Sequence, residues 1–126
     1  MTGKSGNFAS LWYSGKSYQK HVEKRIAKGD IKDENDYKLK TFEAISKSKN
    51  MVVAVSKGDM ISGKLQIGSD GWVVLIGIDG KIVTSYPFDS EKVTFSERHK
   101  QMGDTVYEYT INPEIKKLLN RVFIAS

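Results

Sequence analysis

The chain has no cysteine, and only two prolines and two histidines among its 126 residues. Without cysteine there is no disulfide framework, no thiolate nucleophile and no Cys-based zinc or iron–sulfur site. His21 and His99 stand far apart in the sequence, which argues against a histidine-rich metal centre. No metal and no cofactor is expected. The longest apolar run, Trp72 to Ile78, contains a glycine and falls far short of the roughly 20 residues that span a bilayer. The N-terminus lacks the apolar core of a signal peptide, so any export is expected to be directed from outside this chain. No repeat, proline-rich linker or low-complexity tract divides the sequence. One domain over residues 1–126 is expected, with residues 1–14 as a flexible lead-in.

What is present suits a compact chain, with 39% hydrophobic and 28% charged residues. The charge is lopsided. Residues 1–63 carry twelve basic and seven acidic side chains, residues 64–126 eight of each, so the whole surplus of +5 sits in the first half. Such an asymmetry suits a polyanion, whose phosphates release counterions to lysine and arginine. A solvated lysine-rich surface is the plainer reading.

The first third reads helical. Tyr18, Val22 and Ile26 recur every fourth residue between Ser17 and Lys28, an apolar stripe that ends at Gly29. An acidic stretch, Asp30 to Asp36, leads into a second helix carrying Tyr37, Phe42 and Ile45. Strands then take over: Met51 to Val55, a weaker one from Met60 to Ile67, and a hairpin of Trp72 to Ile78 with Lys81 to Tyr86. Asp79-Gly80 between the hairpin arms supplies the residues of a two-residue type I′ turn. That turn would pair Ile78 with Lys81, Ile76 with Val83, Val74 with Ser85 and Trp72 with Pro87 on one face. Gly77 would then face Ile82, Leu75 Thr84 and Val73 Tyr86 on the other. The face holding Trp72, Val74, Ile76, Ile78 and Val83 is assigned to the core, leaving Thr84 and Tyr86 to point away from it. Val93-Thr94-Phe95 reads as a short strand and Val106 to Thr110 as another. Asn112-Pro113 opens a last helix; Val122-Phe123-Ile124 either continues it or forms a final strand. Helices first, then an antiparallel meander of at least four strands, predict an α+β fold.

Cutting a phosphodiester by its own 2′-hydroxyl needs a proton acceptor, a proton donor and positive charge for the phosphorus-centred transition state. His21 has Arg25 one turn later on the first helix, with Lys24 and Lys28 on the same flank. A side chain that titrates near neutrality thus stands beside a fixed cation. A half-exposed histidine among solvated charges is the alternative. Thr84 and Tyr86 can donate hydroxyl hydrogen bonds to phosphate, and the tyrosine ring can stack on a base, although both types also serve simply as strand formers. Lys57 and Lys64 flank the second strand as further phosphate contacts. His99, in a charged run, reads as a surface-loop residue. No P-loop spacing, nucleophile elbow or glycosidase carboxylate pair occurs.

The helical segment His21-Val22-Glu23-Lys24-Arg25, a second helix, and the run Gly71 to Pro87 ending in Thr84-Ser85-Tyr86-Pro87 together resemble the barnase/EndoU/colicin/RelE-like (BECR) ribonuclease superfamily. The similarity covers about residues 17–88 and is nearest the branch found in phage proteins and bacterial polymorphic toxins. It implies helices packed on a twisted antiparallel sheet, with RNA cut on the exposed sheet face without a metal. It implies a ribonuclease toxin that cleaves transfer RNA, with His21, Arg25, Thr84 and Tyr86 catalytic; the residue reading adds Lys24, Lys28, Lys57 and Lys64 as substrate-binding cations. It further implies the C-terminal nuclease of a larger secreted protein, as in contact-dependent growth inhibition, delivered to the cytoplasm of a target bacterium. A cognate acidic immunity protein would neutralise it, and the free chain would be a monomer. The alternatives are a non-catalytic RNA- or protein-binding module and a phage protein of the same fold.

Overall fold

The computed structural model describes residues 8–55, 63–69, 71–77, 79–88 and 93–124. Helix α1 spans Gly15–Ala27 and α2 spans Glu34–Ser46. Strands β1 (Asn50–Val55), β2 (Gly63–Ser69), β3 (Trp72–Gly77) and β4 (Ile82–Pro87) follow, then α3 (Phe95–Gln101), β5 (Thr105–Thr110) and α4 (Pro113–Leu119), which runs on into a π-helical turn, Asn120–Ile124. The five strands form one sheet in the order β4-β3-β2-β1-β5, and every neighbouring pair is antiparallel. The fold is α+β, helices on an antiparallel sheet. No helix among the described residues is long and apolar enough to cross a membrane.

Each helix begins where its sequence can satisfy free backbone N–H groups. The Ser14 hydroxyl accepts from the Ser17 amide at 3.0 Å, and the Asp33 carboxylate from the Asp36 amide at 2.8 Å. Asn112 accepts from the Ile115 amide at 2.8 Å, with Pro113 beginning α4. After α1, Gly29 takes a left-handed φ of 77° that any Cβ would strain.

Helix α2 packs on β2 and β3, and α1 on β4 at the sheet edge. Tyr37, Ile45, Ile67, Val74 and Ile82 lie at the centre of the core, each 1% exposed or less. One polar cluster is buried with them. Trp72 Nε1 donates to Ser85 Oγ at 2.6 Å, Thr41 Oγ1 lies 2.7 Å from the same oxygen, and the Tyr37 hydroxyl donates to the Ser85 carbonyl. These bonds lock α2 to β4 across the core.

Four expectations fail here, each for a physical reason. Residues 8–14 are not a lead-in. Phe8 and Trp12 are buried, and the Phe8 ring meets Trp12, Tyr18, Tyr37 and Phe42 edge-on. Backbone bonds from Tyr13 N to Ile82 O and from Ile82 N to Leu11 O cover the outer edge of β4 at its first residue, the kind of protection edge strands commonly need.

The hairpin turn is longer than a two-residue loop. Gly77 N donates to Lys81 O and Gly80 N to Gly77 O, and among the described residues only glycines, Gly80 included, have positive φ. This is a three-residue connection with glycine at its left-handed position, because Asp79 avoids the positive φ that type I′ demands. A register shift at Leu75/Ile76 then makes Ile76 face Ile82 and leaves Val83 as the extra residue. Ile82, not Val83, enters the core. The outer pairs, Trp72 with Pro87 through Leu75 with Thr84, stand as expected; Ile78 lies outside the described residues.

The stripe on α1 shifts as well. Its buried residues are Tyr18, Val22 and Arg25, while Ile26 is 43% exposed. At about 100° per residue, Ile26 lies about 80° from Tyr18 and Arg25 only about 20°. Finally, Val93-Thr94-Phe95 is not a strand. Thr94 Oγ1 accepts from the Glu97 amide at 3.1 Å and starts α3; Thr94 and Glu97 have the spacing of a capping box.

Candidate active site

The two faces of the sheet are finished differently. Strand alternation sends Trp72, Val74 and Ser85 toward α2, and Val73, Leu75, Thr84 and Tyr86 to the opposite side. The long connection from β4 to β5 crosses the sheet and lays α3 over part of that second face. The face is therefore partly roofed, not bare. Between the roof and the overhanging flank of α1 lies a cleft of about 830 Å³.

Helix α1 contributes His21, Lys24 and Arg25 to its wall, its C-cap contributes Lys28, and β4 contributes Thr84 and Tyr86. Six of the eight candidate residues thus meet in one cleft. Lys57 lies outside the described residues. Lys64 is placed on β2 opposite Ala54 and Gly77 by its backbone, and its side chain is not described. His99 is not on a surface loop. It sits in α3, 8% exposed, its ring tilted against Phe95 at 4.3 Å, with Nδ1 at 2.7 Å from Asp104 Oδ2, and it is not part of the cleft lining.

Within the cleft, His21 Nδ1 lies 3.3 Å from Thr84 Oγ1 and the imidazole packs against the Trp12 ring at 5.6 Å. Burial holds the His21 pKa below its usual 6.5, and the neighbouring charges of Arg25 and Lys24 push in the same direction. The ring is neutral at pH 7. With Nδ1–H donating to Thr84, Nε2 keeps a lone pair for a proton. Burial raises the Tyr86 pKa, against the opposing pull of Arg98, Gln66 and Arg25, so its phenol stays protonated.

Arg25 is 8% exposed. Its Nη1 pairs with Asp30 Oδ2 at 2.9 Å, whereas its buried Nε has no hydrogen-bond partner. A buried guanidinium nitrogen without an acceptor is costly. Asp30, Gln66, Phe95 and Arg98 also line the cleft and were not candidates from sequence. Asp30 comes beside Arg25 through the turn at Gly29, Arg98 through a helix whose start reads as a strand, and Gln66 through strand alternation. Among the described lining residues, Lys24, Arg25, Lys28 and Arg98 stand with one carboxylate, Asp30, so this described lining is strongly cationic.

A family model described as "Uncharacterised protein aq_aa01" matches residues 3–125. The chain belongs to that family. A curated relative from Aquifex aeolicus (strain VF5), "Uncharacterized protein aq_aa01", is 30% identical over 104 residues, 79% of this chain and 76% of its own. No solved structure matches. The aq_aa01 match takes in α1, the sheet and α3, hence every element that builds the cleft.

Proposed function

We propose that the protein is a metal-independent endoribonuclease of the BECR kind that acts as a toxin on transfer RNA. One observation carries this reading: the neutral, Thr84-bonded His21 and Arg25 line a single cleft whose described residues are mainly cationic. His21 Nε2 takes the proton of a ribose 2′-hydroxyl. The freed oxygen attacks phosphorus, and the bond to the 5′-oxygen breaks with its electron pair leaving on that oxygen. Tyr86 protonates the leaving oxygen, and the proton held by His21 then restores the phenol. The products are a 2′,3′-cyclic phosphate and a 5′-hydroxyl. Arg25 lies where it can balance charge gathering on the phosphoryl oxygens, and Thr84 orients the imidazole.

Incubating the purified protein with total RNA in EDTA tests the reading. Fragments with cyclic-phosphate ends are the expected result, and intact RNA at micromolar protein overturns it. Salt-sensitive RNA binding without cleavage would instead support a non-catalytic RNA-binding module, which the cationic lining also suits. The toxin role requires a cognate partner. A small acidic immunity protein facing Arg25 and Thr84 would be captured quickly through opposite charge. Expression in bacterial cytoplasm should be toxic and rescued by an adjacent gene product. Harmless expression without any neighbour removes the toxin role.

A further inference from the structure

Lys16, Lys20, Lys24 and Lys28 follow one another at four-residue steps along α1 and its C-terminal cap. All four are exposed, and among the described residues none forms an ion pair. Each step advances about 40° around the helix. The ridge therefore winds from the far side of α1 at Lys16 toward the His21/Arg25 flank at Lys28. Beside the main cleft lies a second hollow of about 410 Å³, lined by Ser14, Lys16, Ser17, Lys20, His21 and Lys24. His21 and Lys24 line both hollows. The imidazole thus stands at their junction.

We infer that α1 is the track of a single RNA strand, which lies along the lysine ridge in the second hollow and enters the main cleft at His21. This rests on the ribonuclease reading, which makes His21 the place where the scissile phosphate stops. From Lys16 to Lys28 the ridge is about 18 Å long, enough for more than one phosphate. The lining of the second hollow holds no Phe, Tyr, Trp or aliphatic residue, so it lacks the apolar anchors on which protein interfaces depend. Lysines as flexible point charges suit a phosphate backbone read without regard to sequence. The main cleft supplies what the second hollow lacks: Tyr86 and Phe95 among its lining residues offer rings on which unpaired bases stack. A duplex hides its bases from such rings, so the strand on this track is single.

The test uses an oligoribonucleotide of about twelve residues, 2′-O-methylated throughout so that it has no nucleophile. Its binding is measured by fluorescence anisotropy from about 50 to 200 mM salt, a range over which phosphate contacts reveal themselves. Lys16→Gln/Lys20→Gln should weaken binding roughly tenfold near 0.15 M salt and flatten the slope of log K against log salt by about 1.4, since each phosphate left without its lysine removes about 0.7. The control Lys40→Gln/Lys47→Gln on α2 should keep the wild-type slope. A ridge variant with the wild-type slope, or a control that loses as much, overturns the track. Unmodified RNA separates the two readings. A flattened slope with no cleavage keeps the track and removes the nuclease; cleavage with an unchanged slope does the reverse.

Discussion

Helices α1 and α2 have thirteen residues each and follow one another in the chain, but they spend their charges in opposite ways. In α2, Glu34 and Asp36 sit in the first turn, where the helix dipole favours them. Lys40 pairs with Asp36 at 3.5 Å and Lys47 with Glu43 at 3.2 Å, both at four-residue spacing. Its buried side is Tyr37, Thr41, Ala44 and Ile45. Helix α1 has no acid in its first turn, buries an arginine, and lines up like charges at the spacing where α2 pairs opposite ones. Each lysine–lysine step costs about 0.2–0.5 kcal/mol, roughly what an α2 pair contributes. The difference separates a helix whose lysines at this spacing are paired from one whose lysines form a ridge unpaired among the described residues. A helix selected only to stabilise the sheet would gain by resembling α2.

The largest test of that division is on α1. His21→Ala should lower RNA cleavage by about 10²–10⁴-fold and leave the thermal midpoint close to wild type, since the ring is only half-buried. Normal cleavage by this variant would make the histidine structural and erase the contrast.

Ile45 in α2 is fully buried, and Ile45→Ala should cost about 2–5 kcal/mol in urea unfolding. Ile26→Ala on α1, where the side chain is 43% exposed, should stay within about 0.5 kcal/mol. Equal losses would show that α1 supports the core as much as α2 does.

A smaller loss is expected where α2 is tied to β4. Ser85→Ala leaves Trp72 Nε1 and the Thr41 hydroxyl without the oxygen they share. Unpaired buried groups of this kind cost about 1–3 kcal/mol, and equilibrium unfolding should show it with cleavage retained in the folded protein.

The smallest effect is in pH. The folded state holds the His21 pKa below 6.5, so the unfolded chain binds the proton more readily. The stability lodged there is complete above pH 6.5 and is lost as pH falls through 6.5 toward the folded value. Cleavage that needs the neutral ring rises with pH over the same acid limb. Lys24→Gln removes one of the charges that depress this pKa, and an NMR titration of His21 should therefore move upward. No α2 lysine variant should shift it.

Much of this architecture was legible along the chain. Asn112-Pro113 announces a helix start because the Asn112 side chain satisfies an amide three residues on, a purely local act; Ser14 and Asp33 cap α1 and α2 in the same way, but along the chain they read as lead-in and acidic stretch. Alternation along β3 and β4 put Thr84 and Tyr86 on one face because successive strand residues point oppositely. His21 and Arg25 fall on one side of α1 by helical spacing alone. Only the tertiary structure could say that these two pairs meet across the edge of the sheet, His21 against Thr84 at 3.3 Å. Helical spacing already puts Arg25 nearer than Ile26 to the buried line of α1; the tertiary structure adds Asp30, whose carboxylate pairs with the buried guanidinium at 2.9 Å. The burial of Phe8 and Trp12 likewise depended on rings contributed by α1 and α2. Capping and alternation are settled within a few residues of backbone; the meeting of these side chains, far apart in the chain, waits on the closed fold that brings them together.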